Sequence, residues 1–183
     1  MLQGYRVWGH CTEDDGPVLT SMMFRRSSWK DGKYVASCEQ KEKHTPPHES
    51  CNCGIHALKH IENLVEISDF SSLSSGSRIA GSVALHGKVI EGERGYRAGF
   101  ADVLAIFNFS TNARSIAEKL RVDLVKPPQE LLLALSSRNN VAVHIITSEG
   151  IKYMPLVIEP MTNVVVKDGI SSVMFRNNTN VAS

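Results

Sequence analysis

Apolar and polar positions along this chain change period several times, and each change marks an element. Residues 5–11 and 17–24 read as two strands around the turn cluster Asp14-Asp15-Gly16-Pro17, which predicts a β-hairpin. Within residues 54–67, Ala57, Leu58, Ile61, Leu64 and Val65 recur at helical spacing, with Lys59, Glu62 and Glu66 off the stripe. That pattern predicts an amphipathic helix covering a core. The serine-rich stretch 69–77 carries no charge after Asp69 and predicts a flexible connector. Residues 78–101 alternate, with Ile79, Val83, Leu85 and Val89 on one face and Ser82, His86 and Lys88 on the other. Gly81 and Gly87 inside that strand predict a bulge or a close backbone approach. Thr111-Asn112 caps a helix carrying Ile116, Ala117 and Leu120, and Pro127-Pro128 opens a leucine-rich helix from Gln129 to Ser137. Residues 141–147 with 151–158, and 164–166 with 170–175, read as two further hairpins. The polar tail from Arg176 is expected to fray.

These elements predict an α+β protein, built on a mostly antiparallel sheet or partly open barrel with two or three helices. Residues 1–110 are expected to form one α+β domain. Residues 111–183 are expected to be a small appendage of two helices and two hairpins, packed on the first. A chain of 183 residues, 42% hydrophobic, can bury a sizeable core. Its net charge of +1 supplies no global attraction to nucleic acid or membrane, so any charged partner must meet a local patch. The first residues lack the apolar core of a signal peptide, and no run is long enough to span a bilayer. The expectation is therefore a cytoplasmic protein, where reducing conditions favour thiolates over disulfides.

That expectation matters because of residues 38–54, which gather three of the four cysteines and two of the seven histidines into one polar loop. Thiolate and imidazole are the donors tetrahedral zinc prefers, and crowded thiolates repel unless a cation holds them. Four ligands drawn from Cys38, His44, His48, Cys51 and Cys53 would close a structural site around one zinc ion. His56 and His60 lie four apart behind Cys53 and read as exposed helix histidines rather than ligands. Cys11 reads as a packed thiol in the first strand.

Two other stretches carry candidate chemistry. From Phe24 to Tyr34, cationic and aromatic residues interleave: Arg25, Arg26, Trp29, Lys30 and Lys33 could hold phosphates while a ring stacks on bases. The plainer reading is a solvated hairpin whose Trp29 packs inward. The run from Glu91 to Ala98 sets Glu91, Glu93, Arg94 and Arg97 among glycines. It reads as an ion-pair network, or as a polar site in which Arg97 clamps an anion and Glu93 acts as a base.

Taken together, the motifs His44-x-Pro46-Pro47-x3-Cys51-x-Cys53-Gly54-Ile55-His56-Ala57 and Gly81-x-Val83-x-Leu85-x-Gly87-x-Val89-x-Glu91-x-Glu93-Arg94-Gly95-Tyr96-Arg97-Ala98 resemble those of an uncharacterised bacterial protein family. The resemblance covers about residues 5–105 and brings no activity with it. In that family tyrosine usually stands at the position of His56, which implies that His56 is not a required ligand and that Cys38, His44, Cys51 and Cys53 are the set.

The expected function is a zinc-binding, non-enzymatic interaction or regulatory module. Its partner would be an unidentified macromolecule, a protein in preference to nucleic acid, with no membrane involved. Four protein ligands leave no open metal position, and the chain carries no P-loop, dinucleotide fingerprint or Gly-x-Ser-x-Gly elbow. The alternatives are an enzyme acting on a nucleotide or other phosphorylated ligand through Glu91, Glu93, Arg94 and Arg97, or nucleic-acid binding through residues 24–34. In a variant of the enzyme reading the metal itself is catalytic, with three protein ligands and one water.

Overall fold

The computed structural model describes residues 1–22, 28–38 and 44–139, and the backbone of short strands at 142–147, 150–152, 163–166 and 174–175. The architecture is organised around two long strands, β6 (Ile79–Glu91) and β7 (Gly95–Phe107), joined by a tight turn. β6 is flanked on its other side by β1 (Leu2–Glu13), in register from Leu2↔Leu85 to Trp8↔Ile79. With neighbours on both edges and a core on each face, residues 79–85 are all buried. Large and small side chains therefore follow one another there (Ile79, Ala80, Gly81, Ser82, Val83) instead of apolar and polar ones.

Both strand glycines have a structural reason. A Cβ at Gly81 would collide with the carbonyl of Ala105. Gly87 has φ +72 and sits where the β6–β7 register slips between His86 and Val89, a β-bulge.

The remaining strands complete a partly closed, mostly antiparallel sheet. β2 (Gly16–Thr20) makes the expected hairpin with β1, and β3 (Ser28–Trp29) adds to β2. β4 (Lys33–Val35) and β5 (Ile55–Leu58) both pair with β7, at 100–102 and 95–98. Tyr5 bridges to Leu58, so the pairings β1–β6–β7–β5–β1 close on themselves. A parallel strand that the sequence pattern did not suggest, β8 (Asp123–Val125), adds to the far end of β7.

Neighbouring residues of the central strands face opposite cores. Trp8, Ile79 and Ile106 lie in one with Trp29, Val83 and the buried face of α2 (Thr111–Leu120). Val7, Ala80 and Phe107 lie in the other with Leu64, Leu73, Phe109, Leu131 and Leu135. Burying each such Leu or Ile contributes about 1.5–3 kcal/mol. Three helices stand in the described residues: α1 (Phe70–Ser74), α2 and α3 (Gln129–Asn139). α2 and α3 place residues 111–139 on the two cores of the first sheet. Among the described residues no helix is long and apolar enough to cross a membrane.

Two expectations are corrected here. Residues 54–67 do not form one helix: they form β5, a bend, and a 3₁₀ turn at Ile61–Glu66. Pairing with β7 holds Ile55 and Ala57 inward and His56 outward, a period of two, and His60 is extended (φ −112, ψ 132). Nor is 69–77 simply a connector, because Asp69 caps α1 by accepting the Ser72 amide at 2.7 Å. In the C-terminal part, β9 (Ala142–Thr147) and β10 (Gly150–Lys152) pair antiparallel, as do β11 (Asn163–Val166) and β12 (Met174–Phe175). β9 and β11 lie parallel in the same four-stranded sheet. The tail from Arg176 lies outside the described residues.

Candidate metal centre

Residues 44–54 lie against the first part of β7, with Pro46 and Pro47 at Gly99 and Gly54 at Arg97 and Ala98. Ala36 continues the β4–β7 pairing with a bond to the Gly99 carbonyl at 2.8 Å, which delivers Cys38 to the site. At the other end, Gly54 has φ +117, and a Cβ there would meet Pro47 at 3.1 Å and the Ala98 carbonyl at 3.3 Å. Only glycine passes this turn without strain, so the residue after Cys53 fixes how the loop enters β5.

Between these anchors, Cys38, His44, Cys51 and Cys53 come together, their ligand atoms all within 4.8 Å of one another. The Cys38 and Cys51 sulfurs are 3.8 Å apart, and His44 Nε2 is 3.2 Å from the Cys53 sulfur. All four cysteines are free thiols. Cys51 is buried, and the other three ligands are partly buried. Three sulfurs and one imidazole at these separations can hold a metal ion. His48 is outside the cluster; its ring lies 4.7 Å from that of His44, and its Nδ1 is 2.9 Å from Ser50 Oγ. Cys11, expected to be packed, is instead exposed, because β1 beyond His10 extends past both cores.

The loop is held from behind through its carbonyls. Arg97, on β7, donates to the carbonyls of Cys51, Cys53 (3.3 Å) and His48 (3.2 Å). His56 Nε2 donates to the Asn52 carbonyl at 3.0 Å, and Arg6 donates to the His56 carbonyl. Burial lowers the pKa of His56, the charges of Arg6 and Arg97 lower it further, and the Asn52 carbonyl opposes them. Burial also brings the Arg6 pKa down to about 10, so it stays charged at neutral pH. Neither Arg6 nor Arg97 has an ion pair among the described residues.

The charges of the run Glu91–Arg97 turn to partners outside it: among the described residues they do not pair with one another. Glu91 pairs with Lys59 at 2.5 Å, Arg94 pairs with Glu66, Glu93 is exposed, and Arg97 goes to the loop. Alternation puts Glu91, opposite Tyr96, and Arg97, opposite Ile90, on different faces, and Glu93 and Arg94 stand in the turn between the strands. What the sequence missed was Arg97's partner: the residue was conspicuous, but its direction follows from the strand register.

The basic ribbon divides as well. Arg25 and Arg26 lie outside the described residues. Trp29 is fully buried, stacked on Tyr34 (5.2 Å between ring centres) and edge-on to Trp8, so it presents no face to a base. Lys30 is exposed and lies 3.6 Å from Glu13, and Lys33 is exposed on β4. Compared with known protein families, curated proteins and solved structures, the chain matches none.

Proposed function

We propose that this protein is a zinc-stapled, non-enzymatic interaction or regulatory module. The observation that carries the reading is the Cys3His cluster, with all four ligand atoms within 4.8 Å. Tetrahedral zinc with bonds of about 2.3 Å to sulfur sets its thiolates about 3.8 Å apart, matching the 3.8 Å between Cys38 and Cys51. A full set of protein ligands favours a structural centre over a catalytic one, since no position is left for water or substrate. The bound ion would join the approach from β4 to the entry into β5 and hold the loop in one conformation.

Charge supports the same reading. Three thiolates around a dication carry a net charge of about −1, which gives Arg97 and Arg6 the counter-charge that no side chain supplies among the described residues. The test is metal analysis of reduced, purified protein beside Cys51→Ser. One zinc per chain, with reduced occupancy in the variant, is expected. An unchanged metal content in Cys51→Ser would dismiss this ligand set.

A further inference from the structure

The four cysteines are not equivalent toward an oxidant. Cys38 and Cys51 lie 13 residues apart in sequence, yet their sulfurs are 3.8 Å apart. Cys51 is buried, whereas Cys38 is partly open to solvent. Cys53 is also partly open, but its sulfur faces His44 Nε2 at 3.2 Å. A bond between Cys53 and Cys51 would close a small, strained ring in a turn whose carbonyls Arg97 holds. Cys11 is exposed on β1 and stands outside the cluster. An accessible cysteine beside a buried one is the arrangement of a reactive thiol with its resolving partner.

We propose that a peroxide exchanges the metal staple for a covalent one, by joining Cys38 to Cys51 and releasing the zinc; this rests on the zinc reading above. A thiolate that serves as a metal ligand carries no proton and is the nucleophilic form of cysteine. The Cys38 sulfur attacks one oxygen of hydrogen peroxide, the O–O bond breaks, and hydroxide leaves behind a sulfenic acid on Cys38. The Cys51 thiolate then attacks the Cys38 sulfur, forming the S–S bond and expelling a second hydroxide. Two thiolates are oxidised and one peroxide is reduced, so electrons and atoms balance. The sulfurs have only to close from 3.8 Å to the roughly 2.05 Å of a disulfide. Cys53 and His44 alone are too few to retain the ion, because structural zinc takes four protein ligands. The loop stays tied across Cys38 and Cys51 but loses the negative centre beside Arg97, so its charge reports the oxidation state.

The experiment treats the zinc-loaded, full-length chain with hydrogen peroxide. Released zinc is read with a chromophoric chelator, and disulfides are mapped by mass spectrometry of unreduced peptides. Loss of the bound zinc in step with a Cys38–Cys51 linkage is expected, and a thiol reductant with added zinc should restore the starting protein. Cys11→Ser should respond identically, since that thiol stands outside the cluster. Zinc retained under peroxide, or released with a Cys51–Cys53 linkage or with sulfinic acids and no linkage, would overturn this proposal and leave the metal reading standing. A reduced protein that carries no zinc before treatment would overturn both.

Discussion

Arg97 shows most directly how one side chain can organise a site it does not ligate. It holds three carbonyls of the metal loop from β7, so its removal takes a charged donor from all three. Arg97→Ala should therefore weaken zinc binding by about 10–100-fold, and Arg97→Lys, which keeps the charge without the fork, by less. Competition with a chromophoric chelator measures both, and equal affinity in all three proteins would refute the coupling. Trp29 makes a different prediction. Fully buried between Trp8 and Tyr34, it should cost about 3–5 kcal/mol in denaturant unfolding when changed to alanine. A surface base-stacking tryptophan would cost far less. The four metal-ligand candidates stood out in the sequence because few residue types bind metal and they crowd one short loop. The partner of Arg97 did not, because a residue's charge is local information whereas its direction depends on a strand register set by distant residues.

At the scale of elements, legibility followed how many neighbours decide the outcome. The β1–β2 hairpin and the helices at 111–120 and 129–139 depend on local turns, caps and prolines, and they lie where the pattern placed them. Residues 54–67 misled because Ala57, Leu58, Ile61, Leu64 and Val65 satisfy a helical spacing, while β7 offered Ile55–Leu58 a strand to pair with. The segment after it was read as a connector, although Asp69 is a good cap for a helix as short as α1. Changing Asp69 to alanine should cost about 1 kcal/mol. The pH dependence has a definite sign. The Ser72 amide chiefly holds the Asp69 carboxyl below its ordinary 3.8, so the cap's charge-dependent contribution is present above 3.8 and fades as pH falls below it. The stability difference between wild type and Asp69→Ala should accordingly shrink in acid. A difference that grows below pH 3.8 would contradict this account of the cap.

For the whole molecule, composition and alternation were enough to indicate an α+β protein with a largely antiparallel, partly closed sheet and a Cys/His loop. They could not reveal that β6 is buried on both faces, because Ala80, Gly81 and Ser82 look like a weak strand until α1, α2 and α3 are seen covering both sides. Nor could they place β8, a three-residue strand whose partner among the described residues, β7, lies across a helix in sequence. The loop from Cys38 to Gly54 has few apolar residues of its own, and its described part, residues 44–54, is held by Arg97 and the passage at Gly54, beside a cluster that can hold a metal ion. Chelation should consequently loosen this loop and β5 while the two cores persist, seen as faster amide exchange at 51–58 than in β6. The most direct test of the central claim is elemental analysis of the reduced, purified protein, paired with thermal unfolding with and without a zinc chelator. The account predicts one zinc per chain and a clear loss of stability on chelation; a protein that carries no stoichiometric metal and unfolds identically in both conditions would contradict it.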